Sequence, residues 1–132
     1  MYYEPNPAAE PPTVDQDSET YDSYKGLVMA GYQGWHGTPG DGCPHNPAEG
    51  WPHYASVTQH PFIFEPGVLC NNIDLWPDVS EYEKTYPATG FTSPDGSTPR
   101  LYSSYDASTV NLHFKWMKEY GVDGVFVQRF VG

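Results

Sequence analysis

The chain has 132 residues, the size of one domain, but hydrophobic residues make up only 38% of it beside 13 Gly and 14 Pro, so much of it must be loop. Seventeen acidic residues against six basic ones give a formal charge of −11, which disfavours nucleic acid and anionic membrane surfaces, because both call for clustered Lys and Arg. Aromatics reach 16%, with 11 Tyr, 6 Phe and 4 Trp, a composition suited to stacking rings on flat, neutral partners. No apolar run approaches the roughly 20 residues that span a bilayer, and no signal-peptide pattern stands at Met1.

Residues 1–24 carry Glu4, Glu10, Asp15, Asp17, Glu19 and Asp22, several prolines and few aliphatics. Such a segment buries too little surface to offset its ordering entropy and reads as a disordered acidic leader or linker. Order is expected from Lys25 onward, so the chain divides into 1–24 and a domain over 25–132. The run from Gly26 through Leu27, Val28, Met29 and Ala30 to Gly31 is continuously apolar. That run, which continues to end in Gly and aromatics at Trp35, suggests a strand covered on both faces as in parallel sheets.

Residues 37–100 are loop-rich. Ser93-Pro94-Asp95-Gly96 is a strong turn signal, and a short helix is expected near residues 78–82. A connection this long inside a compact domain is usually functional. Trp35, Trp51, Tyr54 and Trp76 gather there, either as a binding surface or as rings that pack the loop against itself. Cys43 and Cys70 either close one disulfide or stay as two buried thiols.

The clearest local signal follows. Asp106 stands as an N-cap whose carboxylate is expected to accept a bond from the first-turn amides. Val110, Phe114, Met117 and Gly121 follow at helical spacing, with His113 and Tyr120 on the same side, predicting an amphipathic helix over 107–120. Gly121 suits a left-handed C-terminal cap. A second continuous apolar run, from Val122 to Phe130, then predicts another buried strand. Strand, long connection, helix and strand make one βαβ unit of an α/β fold. One helix and two doubly covered strands cannot close a sheet, so the sequence reads as the front of a larger domain.

Residues 25–35, Gly50-Trp51-Pro52-His53-Tyr54, residues 73–82 and residues 101–130 together carry a resemblance. In that order they resemble bacterial proteins related to glycoside hydrolase families 71 and 99, some labelled xylosidase/arabinosidase-like. The resemblance covers about residues 25–131. It implies a (β/α)8 TIM barrel, of which this chain would hold strand 1 (26–31), a long loop, helix 1 (107–120) and strand 2 (123–128). A full barrel takes roughly 250 residues. Family 99 members are endo-acting α-mannosidases and family 71 members α-1,3-glucanases. The carboxylates that act in family 99 lie on later strands, so no catalytic residue carries over to this chain. The rest of the barrel is then an implied partner. An extracellular or periplasmic location is implied as well, with weak support from the cysteine pair.

Barrel sites open at the C-terminal ends of the strands. That places Tyr32, Gln33, Trp35 and His36 after strand 1, and Gln128 and Arg129 at the end of strand 2, on the working face. Trp51 and His53 offer a further aromatic wall and a hydrogen-bonding group. Each has a structural alternative: Trp35 as a core lid, Arg129 in an ion pair. Asp74, Asp78 and Glu81 look like an acid/base set, but local capping explains them better. A metal site from His36, Cys43, His45 and His53 fits no standard zinc spacing, and no cofactor motif stands out. The reading is therefore the N-terminal part of a glycoside hydrolase, supplying sugar-binding walls without its catalytic carboxylates. The alternative is a lectin-like carbohydrate-binding module complete at this length, and a third reading is a remnant with no function of its own.

Overall fold

In the order met along the chain, a computed structural model gives β1 (Met29–Tyr32), β2 (Tyr86–Pro87), β3 (Arg100–Leu101), α1 (Ala107–Glu119) and β4 (Gly124–Val127). It describes residues 21–44, 46, 50–55, 63–67 and 71–129. Most of the acidic leader, together with His45, His60 and Cys70, lies outside them. Among the described residues no helix is long and apolar enough to cross a membrane.

β1 and β4 pair in parallel, with Met29 opposite Gly124 and Tyr32 opposite Val127. Both strands are shorter than their apolar runs. Gly26, at φ +83°, turns the chain through Leu27 N donating to Tyr24 O (3.2 Å), so pairing starts later than residue 26. At one end of the pair, Asp123 N donates to Val28 O (2.9 Å) while Val28 N donates to the Asp123 carboxylate (2.8 Å). At the other, Gln128 N donates to Tyr32 O (3.0 Å). Coverage on both faces is not found. Val28, Phe126 and Val127 are 57%, 58% and 60% exposed. The physical reason is that α1 is the single helix among the described residues, and no third strand flanks the pair there.

α1 ends as a Schellman motif. Val122 N donates to Met117 O (2.8 Å) and Gly121 N to Lys118 O (3.3 Å), with Gly121 left-handed at φ +77°. Its start departs from expectation. Asp106 has the extended backbone of an N-cap, but its side chain makes no capping bond. The carboxylate instead accepts from Lys84 Nζ (2.6 Å) and from the Tyr86 hydroxyl (2.9 Å). Both are charge-assisted or buried bonds, and they outcompete a cap. The hydrogen bond from Lys84 to Asp106 holds the ammonium well above the ordinary lysine value. Tyr120, expected on the packed face of the helix, is exposed instead.

The long connection has its own core. Tyr54, Ala55, Phe64, Ala88 and Leu101 are buried together, with Trp51, Ile73 and Phe91 packed against them. β2 and β3 form a short antiparallel pair that sets Tyr86 opposite Leu101. A buried polar knot braces the loop. The Asp41 carboxylate accepts from Thr38 N (2.9 Å), Cys43 N (2.8 Å) and Ser103 Oγ (2.8 Å). Gly37 is required where the chain crosses residue 52, because a Cβ there would stand 2.7 Å from Pro52 Cγ. The turn at 93–96 is present, with Gly96 N donating to Ser93 O (2.9 Å). The short helix near 78–82 is instead a single turn, with Tyr82 N bonded to Val79 O and Ser80 N to the Asp78 carboxylate (2.9 Å). The Asp78 bond supplies the turn locally without a helix. Cys43 is a free, partly buried thiol.

Replacing Asp106 with Ala strands the buried Tyr86 hydroxyl and releases the half-exposed Lys84 to water, and the expected cost is about 1–3 kcal/mol in urea unfolding. Asp106→Asn should cost less, because it keeps one acceptor. Both variants unfolding within about 0.5 kcal/mol of the parent would show that this contact does not anchor α1.

Candidate functional site

Residues leaving β1 and β4 meet at the shared C-terminal end of the two strands. Trp35 Nε1 donates to Gln128 O (3.1 Å), and Gln33 Nε2 donates to Gln128 Oε1. The two strand ends are thereby tied through side chains as well as backbone. Gln33, Gln128 and Arg129 are exposed. Arg129 has no ion pair among the described residues, so the structural alternative for it is not found there.

Behind this edge runs a row of rings. Trp35 lies against His53 at 5.1 Å between centroids, and His53 faces His36 at 6.2 Å. His36 packs on Tyr54 (4.6 Å) and Tyr102 (5.8 Å). Three separate stretches of chain supply these rings. Backbone bonds hold them in place: Gly37 N donates to Pro52 O (3.1 Å), and Ser104 N to His36 O (2.8 Å). His53 adopts φ +65°, a left-handed conformation uncommon for a residue with a side chain. Strain of that kind collects at functional positions. Trp51 falls elsewhere. Its ring contacts Tyr54 and Phe64 and belongs to the loop core.

The row continues into α1. Tyr82 stacks on Tyr102 at 4.8 Å with planes 12° apart. The His113 ring sits between two phenols, with Nδ1 3.1 Å from the Tyr32 hydroxyl and Nε2 2.7 Å from the Tyr82 hydroxyl. A neutral imidazole has one donor and one acceptor nitrogen, so one phenol donates to the ring and the other accepts from it. Tyr82, Tyr102 and His113 were not among the sequence candidates for the site. The one available signal was His113, a polar residue inside the apolar stripe of a helix.

The whole row is uncharged at neutral pH. Burial lowers the pKa of His36, with neighbouring His53 and His113 adding to the effect. Burial alone lowers His53 and His113. Burial likewise raises the phenols of Tyr32, Tyr54, Tyr82 and Tyr102. The result is aromatic faces interleaved with neutral donors and acceptors, beside two exposed amides. Stacking and hydrogen bonding to neutral groups are the interactions that such an arrangement offers.

Bond cleavage in a sugar chain needs two carboxylates at defined spacing, and the ring row contains none. Asp78 accepts locally from Ser80 N, whereas Glu81 accepts from Trp116 Nε1 on α1 (3.3 Å), a long-range contact rather than a local cap. Among the described residues no group of three or more His, Cys, Asp or Glu is placed to hold a metal ion. Comparison with protein-family models, with curated proteins and with solved structures finds no match.

The three depressed histidines set a pH dependence. In the unfolded chain each takes up a proton near pH 6.5, whereas in the fold each holds off until lower pH. Their stabilising contribution is therefore complete above about pH 6.5 and is lost as pH falls through the lowered folded values. The melting temperature should drop more steeply from pH 7 to 5 in the parent than in a His36→Gln, His113→Gln double variant. Superimposable curves would rule the cluster out as the cause.

Proposed function

We propose that residues 25–132 form the N-terminal portion of a glycoside hydrolase barrel, supplying sugar-binding walls of the cleft while the acid and base come from further sequence. The observation that carries this reading is the shared strand end. A parallel β1–β4 pair joined through α1 sends Trp35 and His36 from one strand, and Gln128 and Arg129 from the other, to the same C-terminal edge. In α/β barrels that edge is the working face. Val28, Phe126 and Val127 at the surface support the same reading, since a neighbouring strand and helix would cover them.

In this reading Trp35 stacks on a sugar ring, and His36, His53 and Gln128 bond hydroxyls. Tyr32, Gln33 and Gln128 hold the strand ends in register. Arg129 reaches toward substrate or a carboxylate on later sequence. An extracellular or periplasmic setting goes with a glycan substrate. A second reading, a lectin-like module, draws on the self-contained core of the long loop. That core gives the ring row rigid support without any barrel.

Two measurements separate these readings. On the barrel reading the 132-residue chain shows no turnover of aryl glycosides or mannan, and measurable turnover would overturn it. Its thermal transition should be weak and accompanied by binding of a hydrophobic dye, through Val28, Phe126 and Val127. A sharp cooperative melt without dye binding would favour the complete module.

A further inference from the structure

A second aromatic surface lies within the long loop and shares no residue with the ring row. Phe64, Phe91, Trp76, Leu75, Asn71 and Asp74 line an open cleft of about 200 Å³. The Trp76 ring is not a loose surface side chain. It meets Phe91 edge-on at 5.1 Å and Phe64 edge-on at 6.0 Å, while Phe64 and Phe91 pack on each other at 4.7 Å. Phe64 belongs to the buried core. Trp76 is nonetheless 40% exposed, and Leu75 beside it is 85% exposed.

We infer that this cleft is a second sugar-binding subsite, taking a single neutral ring stacked on Trp76 with its hydroxyls directed to Asp74. Three observations select that ligand. A fixed, half-exposed indole offers an electron-rich face that attracts the C–H dipoles of a flat, apolar sugar face. The Asp74 side chain, exposed at the rim, accepts hydroxyl hydrogens and repels anions, as does the chain's formal charge of −11. The cleft is shallow and small, fitting one ring, whereas a docked protein segment would need a far larger apolar face. The choice of ligand class rests on the carbohydrate reading above, but the site stands on its own residues. It would hold a glycan away from the strand ends and raise its effective concentration at the ring row.

The test is calorimetric titration of the full 132-residue chain with maltotriose, mannotriose and xylotriose, for the parent and for Trp76→Ala, Asp74→Asn and Trp35→Ala. At least one trisaccharide should bind, and Trp76→Ala should weaken its Trp76-dependent event about ten-fold. Asp74→Asn, a near-isosteric change at an exposed side chain, should weaken the same event several-fold without lowering the melting temperature, so loss of folding does not explain it. Trp35→Ala should leave that event intact. Parent-like binding by both Trp76→Ala and Asp74→Asn overturns the subsite and leaves the ring-row reading untouched. Binding that responds to Trp76 and not to Trp35 supports the subsite and counts against the ring row as a sugar site. Failure of all three trisaccharides to bind the parent overturns the subsite.

Discussion

The parallel pairing of β1 with β4 is the constraint from which the rest of the molecule follows. A parallel pair admits no short turn, so everything between Tyr32 and Gly124 must leave one end of the sheet and return to the other. α1 makes only the last part of that return. The remaining connection is far too long to stay solvated without cost, and it holds together by folding on itself around Tyr54, Phe64 and Leu101. Among the described residues, hydrogen bonds at three places join this outer body to the return helix: the Lys84–Asp106–Tyr86 contact at the helix start, the Tyr82–His113 bond half-way along it, and the Glu81–Trp116 bond further on.

The same constraint builds the ring row. Because β1 and β4 end together, Trp35 finds the carbonyl of Gln128 without any reach from a flexible loop. Because the loop core presses residues 51–54 and 101–104 onto the end of β1, His36 is enclosed by His53, Tyr54 and Tyr102. Enclosure removes water, which lowers the imidazole pKa values and raises those of the phenols. The ring row thus stands beside a strand end that exposes two amides and the guanidinium of Arg129.

Much of the local structure was legible along the chain. The helix limits, the left-handed Gly121, the turn at Ser93–Gly96 and two apolar strands all follow from residues within a few positions of one another. The site was legible only in part. Tyr32, Gln33, Trp35, His36, His53 and Gln128 come together, because proximity to a strand end is a positional property. Trp51 goes instead to the core, Tyr82 and Tyr102 enter from stretches whose pattern does not mark them, and His113 is marked only as a polar residue on the apolar side of a helix. Asp106 shows the same limit. Its place before a helix suggested a cap, but Lys84 and Tyr86 offered stronger partners from 22 and 20 residues away.

By itself, then, the sequence determined the helix and the two strands that flank the long connection, because periodicity and turn chemistry act over a few bonds of backbone, whereas β2 and β3 carry no pattern of their own. It also determined the charge and the aromatic supply. Only the tertiary structure decided which rings meet, which carboxylate is engaged and which faces stay open to water. Those outcomes depend on chain closure over some ninety residues, where contact energies compete with one another and no local pattern records the winner.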